Sequence, residues 1–315
     1  MIRRELERVA LRYSEGFKVL GIVGPRQSGK TTLARSLFPD KPYVSLENPD
    51  AQQFALDDPQ GFLDQNPDGA VLDEVQRCPE LFSYIQGRVD DSNKAGMYVL
   101  TGSQQFGLME NITQSLAGRI GMLKLLPFGY SELLAGGVAE ETPEKALFKG
   151  GYPALYDQKV GICDWLNSYI STYVERDVRQ IVNIRELARF RQFLALCAGS
   201  AGQLFNATRL ATDCGVSRNT IQSWVNILEA AFIVFRLHPH HENHRKRIVK
   251  TPKLYFYDTG LLIRLLEVQS SAQLWTHPLR GAWFENWVIS EVVKSLRHAG
   301  DTRLPYFWRD NTGHE

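Results

Sequence analysis

The chain has 315 residues, enough for two or three domains that each bury their own core. Hydrophobic residues make up 43% of it and charged residues 23%, a composition that excludes an intrinsically disordered or collagen-like protein. The 36 Lys and Arg residues nearly balance the 35 Asp and Glu residues, so the net charge of +1 provides no overall attraction to nucleic acid or membranes.

The cysteines and the N-terminus indicate the cellular compartment. The 4 cysteines form no C-x-x-C pair and show no regular spacing, which indicates neither a zinc site nor a disulfide framework. The N-terminus has no uninterrupted apolar segment, and no stretch reaches the roughly 18 apolar residues of a membrane helix. We therefore expect a cytoplasmic protein that does not bind membranes.

The N-terminal part of the chain, residues 1–135, predicts an α/β domain with a parallel sheet. Short apolar segments alternate with helical or turn-rich ones, as they do where crossover helices join parallel strands. The predicted strands are residues 18–23, 42–46, 70–75, 97–102 and 121–128.

The first predicted strand leads directly into a G-x-x-x-x-G-K-[ST] motif, and a helical pattern follows it. In such a loop, backbone N–H groups and the helix N-terminus face phosphate groups. Lys30 is expected to reach the β and γ phosphates, and Thr31 to offer its hydroxyl to Mg²⁺. The residues expected to contact the nucleotide are Gly24, Pro25, Arg26, Gln27, Ser28, Gly29, Lys30, Thr31 and Thr32.

Polar residues follow the third and fourth predicted strands. Asp73 is expected to hold Mg²⁺, and the adjacent Glu74 to orient or deprotonate an attacking water molecule, a pairing typical of a hydrolase. Thr101 and Ser103 are candidates for a polar contact with the γ-phosphate or that water. The alternative interpretation of these two hydroxyl residues is an ordinary turn after a strand.

Arg119 comes just before the fifth predicted strand. In a ring or dimer of such domains, an arginine here can reach the γ-phosphate bound by a neighbouring subunit and stabilise the charge of the transition state. The alternative is a solvated or salt-bridged surface arginine.

Three further segments are predicted after the core. Residues 136–197 have long helical patterning and are interpreted as a helical lid. Residues 198–262 contain two short helices joined by a turn, then two strands on either side of a basic, His-rich loop, which is typical of a winged helix. Residues 263–315 contain an amphipathic helix and a terminal strand, and form an incomplete α/β segment. On that helix, an apolar cluster is expected in the core, facing the preceding domain: Trp283, Phe284, Trp287 and Val288.

The predicted winged helix has candidate DNA contacts. Arg218 and Asn219 lie at positions that read a DNA groove, whereas Ile221 and Trp224 are expected in the core. The predicted wing contains four basic residues: Arg245, Lys246, Arg247 and Lys250. Many winged helices bind protein instead of DNA, and that alternative stays open. The nearby histidines are interpreted as part of a solvated wing, because Pro239 interrupts any helix that would align them on a metal.

Taken in chain order, these motifs resemble a family of bacterial and archaeal AAA+ ATPases that combine an N-terminal ATPase core with a C-terminal domain of unknown function. The resemblance spans nearly the whole chain. It is carried by GPRQSGKTT (24–32), VLDEVQ (71–76), LTGSQ (100–104), SLAGR (115–119), GGYP (150–153), TYVERDV (172–178), YFYDTGLL (255–262), FENWVISEV (284–292) and WRDNTGHE (308–315).

The resemblance implies the finer assignments. It implies ATP as the nucleotide, a homo-oligomer in which Arg119 is the arginine finger, a place for Tyr152 and Pro153 near the nucleotide base, and Arg176 as a second phosphate-sensing arginine. Similar proteins continue into a domain that looks like a restriction endonuclease, with a glutamate that corresponds to Glu285. The Asp and Lys that such nucleases require are absent here, so we expect no nuclease activity and a structural role for Glu285.

Two functions fit these motifs. One is an oligomeric ATPase that couples Mg²⁺-dependent hydrolysis of ATP to work on DNA. The other is a nucleotide-controlled switch or scaffold that regulates a protein partner, since the same phosphate-binding loop serves both. A motor should turn over continuously and be stimulated by DNA, whereas a switch should turn over slowly.

Overall fold

The computed structural model describes residues 2–92, 94–103, 115–157, 159–174, 187–240, 251–303 and 305–309. The chain divides into two compact units, one of residues 1–126 with 297–301 and one of residues 127–296 with 302–315. The predicted division into four domains stays a proposal.

The first unit contains the predicted parallel sheet. All neighbouring strands in it run parallel, in the order β2-β3-β4-β1-β5. The strands are β1 (Val19–Val23), β2 (Tyr43–Ser45), β3 (Val71–Asp73), β4 (Tyr98–Gly102) and β5 (Ile120–Lys124). The helices described in this unit are α1 (Glu7–Gly16), α2 (Lys30–Leu37), α3 (Pro49–Asp57), α4 (Pro59–Asp64) and α5 (Leu81–Asp91). The predicted α/β fold of this part of the chain is therefore confirmed.

All five strands are shorter than predicted, and the largest differences, three residues each, are at β3 and β5. Strand β3 ends at Asp73 because Glu74 takes a left-handed backbone conformation, with φ 56°, and a 3₁₀ turn begins at Val75. Strand β5 ends at Lys124, which pairs with Val23, because its partner strand β1 ends there and the chain turns into the phosphate loop.

The central strands are buried on both faces. Every residue of β1 and β4 is buried, which explains why both strands are continuous apolar runs without alternation. Leu6 and Val9, at and near the start of α1, pack into the same core as Leu20 and Ile22 of β1. Because the strands are parallel and in register, β1, β3 and β4 end at one edge of the sheet.

The second unit is mainly helical. The remaining described helices are α6 (Tyr130–Ala135), α7 (Pro143–Lys149), α8 (Ala154–Asp157), α9 (Ile162–Tyr169), α10 (Leu187–Gly199), α11 (Ala207–Cys214), α12 (Arg218–Ala230), α13 (Thr259–Leu265), α14 (Ala272–Thr276) and α15 (Arg280–His298). A π-helical turn, Ile170–Val174, follows α9. Strand β6 (Val234–Pro239) pairs antiparallel with β7 (Lys253–Phe256) and parallel with β8 (Tyr306–Phe307).

Helices α11 and α12 are the two short helices joined by a turn that the sequence predicts, and we call this pair the helix–turn–helix. The Asn206 side chain caps α11 at Arg209 N, at 3.0 Å, and the Ser217 side chain caps α12 at Thr220 N, also at 3.0 Å. Gly215 makes the turn with a φ of 65°, a conformation that favours glycine. Ile221 and Trp224 of α12 are fully buried, as expected.

A buried carboxylate joins two of the sequence motifs of the second unit. Asp258 accepts hydrogen bonds from Gly151 N at 2.7 Å and from Leu261 N at 2.9 Å, so it caps α13 and also holds the GGYP segment. Burial raises the pKa of Asp258, and the positive charge of Lys294 opposes this increase. A Cβ at Gly150 would lie 2.4 Å from the Asp258 carboxylate, so the close approach requires glycine.

The apolar residues of α15 are less buried than the sequence predicts. The sequence predicts a core cluster of Trp283, Phe284, Trp287 and Val288. Trp283 is buried, but Phe284 and Val288 are 48% and 43% exposed, so that prediction is wrong for these two residues. They lie one turn apart on the same side of α15. Among the described residues, no helix is long and apolar enough to cross a membrane.

Candidate nucleotide-binding site

The G-x-x-x-x-G-K-[ST] sequence forms a tight loop between β1 and α2. A Cβ at Gly24 would lie 2.0 Å from the carbonyl oxygen of Leu125, so only glycine allows the loop to leave β1 this closely. Gln27 and Gly29 have left-handed backbones, with φ 58° and 91°. These two reversals curl the chain on itself before the helix begins at Lys30.

The side chain of Lys30 lies inside this loop. It is 5% exposed, and its Nζ atom donates hydrogen bonds to the carbonyl oxygens of Gly24 at 3.1 Å and Pro25 at 2.8 Å. Burial lowers the pKa of Lys30 to about 8, although the charges of Glu74 and Asp73 oppose that effect. The ammonium group thus lies where it can exchange loop carbonyls for phosphate oxygens.

Asp73 receives hydrogen bonds from three different elements of the fold. Its Oδ2 atom accepts from Thr31 Oγ1 at 2.9 Å and from the Tyr43 hydroxyl at 2.8 Å, and its Oδ1 atom accepts from the Thr101 hydroxyl. The structure therefore brings Thr31 and Asp73 together, as the sequence predicts. Burial and the Asp73 carboxylate raise the pKa of Tyr43 to about 12, so Tyr43 stays a neutral donor.

The Thr31 and Asp73 oxygens fit a magnesium ion. Mg²⁺ prefers hard oxygen ligands and is usually held by one or two protein groups, together with water and phosphate oxygens. The Thr31 hydroxyl, at the start of α2, and the Asp73 carboxylate, at the end of β3, lie 2.9 Å apart and supply such a pair.

Glu74 is held by hydrogen bonds at the end of β3. Its Oε2 atom accepts from Ser103 Oγ at 3.0 Å and from the side-chain amide of Gln76. The Oε1 atom of Gln76 is buried and has no hydrogen-bond partner among the described residues, so it can still accept a hydrogen bond from a water molecule or a ligand. Thr101 and Ser103 therefore contact the acidic pair in this structure, and their contact with a γ-phosphate stays a prediction.

Arg119 lies away from these residues, at the opposite edge of the sheet. It precedes Ile120, which pairs with Val19 at the start of β1, whereas the phosphate loop follows Val23. At about 3.3 Å per residue, the four steps of β1 separate the two edges by about 13 Å. The Arg119 guanidinium is partly exposed and pairs with both carboxylate oxygens of Asp90, with Nη2 at 2.8 Å from Oδ2. The hydrogen bond from Arg119 lowers the pKa of Asp90.

The remaining predicted residues are in different surroundings. Thr32 is exposed on α2. Tyr152 belongs to the second unit, where its side chain is fully buried, packs against Trp165 with the two rings tilted, and donates from its hydroxyl to Tyr169 at 3.1 Å. A contact of Tyr152 with a nucleotide base stays a prediction. Pro153 is half-buried, and Arg176 lies outside the described residues, as do the predicted wing residues 241–250.

Three residues of this site did not stand out in the sequence. Tyr43 and Gln76 are described above, and Arg4 donates to the Ser28 carbonyl at 3.0 Å and to the Leu126 carbonyl at 2.7 Å. A signal for Tyr43 exists, because β2 was predicted, and a polar residue on the strand next to β3 can reach Asp73. No local pattern indicates the partners of Arg4, since they are 24 and 122 residues away.

Comparison with protein families agrees with this geometry. Residues 16–134 match the model of the AAA domain, and residues 140–272 match a domain of unknown function (DUF8612). The first match covers the phosphate loop, the acidic pair and Arg119. The predicted P-loop core is thus confirmed, whereas the winged helix and the nuclease-like segment stay predictions.

Comparison with individual proteins agrees with the fold. Uncharacterized proteins of Mycobacterium tuberculosis and Mycobacterium bovis are each 31% identical to this chain over 296 residues, which is 92% of the chain. The chain spans 65% of the length of these relatives. The structure of a Walker-type ATPase of Pyrococcus abyssi superposes with a TM-score of 0.57 at 15% identity, covering 84% of this chain and 96% of that one. This likeness concerns the fold.

The pKa of Lys30 predicts how nucleotide binding depends on pH. Because burial lowers it to about 8, raising the pH above 8 leaves a neutral amine, which cannot offset phosphate charge. ATP affinity should therefore be constant below pH 7 and fall by up to about tenfold per pH unit above pH 8. Fluorescence titration with a labelled ATP analogue would measure this. The matched control is Lys30→Arg, whose guanidinium does not titrate in this range; the same pH dependence in this variant would contradict the assignment to Lys30.

Proposed function

We propose that this chain, whose residues 16–134 match the AAA domain, is an ATPase that binds ATP with Mg²⁺ and hydrolyses it. The observation that carries the proposal is the arrangement at one edge of the sheet. Lys30 in the loop, the Thr31–Asp73 pair and the hydrogen-bonded Glu74 lie at the ends of three neighbouring parallel strands. Open α/β sheets bind ligands at such an edge.

Each residue has a separate task in this proposal. Lys30 neutralises the β and γ phosphates, and the loop amides hold them in place. Thr31 and Asp73 would hold Mg²⁺, which when bound offsets the charge of the phosphates. Thr101 and Tyr43 fix the orientation of the Asp73 carboxylate. Glu74 accepts a proton from the attacking water, and Ser103 and Gln76 hold its Oε2 atom, which leaves Oε1 as the acceptor.

Glu74→Gln tests the hydrolytic step. The amide cannot accept the proton of water, so the rate of ATP hydrolysis should fall at least about a hundredfold while ATP binding stays near the wild-type value. Lys30→Ala should instead lose ATP binding. Steady-state phosphate release and equilibrium titration would separate the two effects. Hydrolysis at the wild-type rate by Glu74→Gln would remove Glu74 from its proposed role.

Arg119 is proposed to act on a neighbouring subunit of a homo-oligomer. It lies about 13 Å along the sheet from its own phosphate loop, so a role in hydrolysis requires the site of another copy. Its present partner, Asp90, is 42% exposed, and exposed ion pairs hold their side chains weakly. The arginine is therefore available to exchange Asp90 for a phosphate.

Mixing two inactive variants tests this role. Arg119→Ala keeps an intact phosphate site, and Lys30→Ala keeps an intact arginine, so a mixed oligomer contains some complete interfaces. ATP hydrolysis should return to a measurable fraction of the wild-type rate on mixing. Arg88→Ala, which removes an arginine of α5 that pairs with Asp64, should hydrolyse ATP normally by itself. If the mixture stays inactive, or if Arg119→Ala alone is active, the role in a neighbouring site is wrong.

Work on DNA is the finer part of the proposal. The helix–turn–helix presents exposed Arg218 and Asn219 at the start of α12, a position suited to reading a groove. A cavity of about 510 Å³ borders Arg218, and Asn206, Gln222 and His238 also line it. Arg236 also lines it, but its guanidinium is bound to Glu229, so the exposed Arg218 is the better cation for a phosphate.

ATP hydrolysis measured with single-stranded, duplex and branched DNA tests this part. One DNA form should raise the rate several-fold, and Arg218→Ala should reduce that stimulation without changing the basal rate, because Arg218 lies outside the phosphate site. Arg189→Ala, on the exposed side of α10, is the control. A slow rate that no DNA changes would contradict work on DNA and would favour the nucleotide-controlled switch that regulates a protein partner.

A further inference from the structure

Arg4 is a buried arginine that contacts the phosphate loop from behind. Its side chain lies just before α1, and the residue is 6% exposed. The Nη1 atom donates to the Ser28 carbonyl at 3.0 Å, and the Nη2 atom donates to the Leu126 carbonyl at 2.7 Å. A guanidinium keeps its charge when buried, so it needs such acceptors. The two carbonyls belong to segments that meet only in the folded unit.

The first contact orients a peptide group of the loop. The carbonyl of Ser28 and the N–H of Gly29 belong to one planar trans peptide, so they point in opposite directions. When the Ser28 carbonyl points at Arg4, the Gly29 N–H points away from Arg4. That amide, at the N-terminus of α2, is among those that the loop turns toward phosphate groups.

The other polar groups of Ser28 are held weakly. Its N–H, which belongs to the preceding peptide group, donates to the Pro25 carbonyl at 3.3 Å, which is long for a hydrogen bond. The hydroxyl of Ser28 is buried and has no hydrogen-bond partner among the described residues. The preceding residue, Gln27, has a left-handed backbone with φ 58°, and such a conformation persists only where its surroundings enforce it.

The second contact ties the loop to the chain that supports it. Leu126 follows Leu125, whose N–H donates to the Val23 carbonyl at 2.8 Å and whose own carbonyl lies against Gly24. Arg4 thus spans the loop near its end, at Ser28, and the segment on which the loop begins. A single rigid guanidinium sets the distance between the two.

We propose that Arg4 is a positioning residue for nucleotide binding, because its guanidinium orients the Ser28–Gly29 peptide so that the Gly29 N–H faces the phosphates. This inference rests on the ATPase function proposed above. The carbonyls of Ser28 and Leu126, which accept hydrogen bonds from Arg4, belong to the backbone of the phosphate loop and of the segment beside it, so we expect Arg4 to act on the binding of phosphates and not on the chemical step.

Substitution of Arg4 and of its exposed neighbour Arg3 tests the proposal. Arg4→Gln removes the charge and the fork of donors, and Arg4→Lys keeps the charge but replaces the planar fork with a single ammonium group. Arg3→Gln is the matched control, because the Arg3 side chain is 87% exposed and forms an ion pair with Glu7 at the surface. For each protein we would measure the Kd of a fluorescent ATP analogue, KM and kcat for hydrolysis, and Tm.

The expected result is a split between KM and kcat. The Kd and KM for ATP should rise about tenfold in Arg4→Gln and by a smaller factor in Arg4→Lys, with kcat within about twofold of wild type. Arg3→Gln should match the wild type. A merely structural role would lower Tm, and through a smaller folded fraction the apparent kcat, while KM stayed the same; that outcome would overturn the proposal.

The remaining outcomes also decide it. If Arg4→Gln does not fold, Arg4→Lys gives the decisive KM, and a wild-type KM in that variant overturns the proposal. If the wild-type protein binds ATP and the Arg4 variants bind it equally well, this inference alone fails. If the wild-type protein binds no ATP, the ATPase function and this inference fail together.

Discussion

A buried carboxylate at the edge of the parallel sheet is the constraint on which the site depends. Asp73 is 6% exposed, and a charge removed from water must be given hydrogen-bond donors. Its donors come from α2, β2 and β4, through Thr31, Tyr43 and Thr101. These elements can converge on one side chain only because β3 lies between β2 and β4 and because the strands are parallel and in register. The strand order of the sheet is therefore what supplies the buried Asp73 carboxylate with its hydrogen-bond donors.

The phosphate loop contains a buried charge of the opposite sign, which also needs hydrogen-bond partners. Lys30 is as buried as Asp73, and carbonyl oxygens of its own loop accept its hydrogen bonds. The carboxylates of Glu74 and Asp73 stabilise the ammonium form, but desolvation outweighs them, which lowers the pKa of Lys30 to about 8. A bound phosphate would reverse that balance, because it brings negative charge into direct contact with the ammonium group. The loop is thus built to gain stability from an anion.

Arg4, behind the phosphate loop, and Arg119, at the opposite edge of the sheet, differ in burial, and their burial indicates what each can do. Arg4 is enclosed and donates to main-chain carbonyls, so it can hold a shape but cannot move to a ligand. Arg119 is partly exposed and pairs with an exposed carboxylate, so it can leave its partner for another anion. Asp258 plays a part in the second unit that resembles that of Arg4, because it holds main-chain groups of two distant motifs with one buried charge.

Local patterns in the sequence predicted what depends on neighbouring residues. The five strands, the phosphate loop, the acidic pair and the helix–turn–helix each follow from apolar runs, glycine positions or capping residues within about ten residues, because backbone conformation and burial are local properties. The sequence also predicted that Thr31 and Asp73 lie close together, because both were expected to hold the same Mg²⁺ ion.

Tertiary structure alone decided which side chains meet across the fold. The bond of Tyr43 to Asp73 needs the order of the strands, and the contact of Arg4 with Leu126 joins residues 122 positions apart. The pairing of Arg119 with Asp90 brings the end of α5 to the residue that precedes β5. The exposure of Phe284 and Val288 likewise depends on what packs against α15. No periodicity encodes these contacts, because a hydrophobic pattern shows that a face is buried and does not identify the partner that covers it.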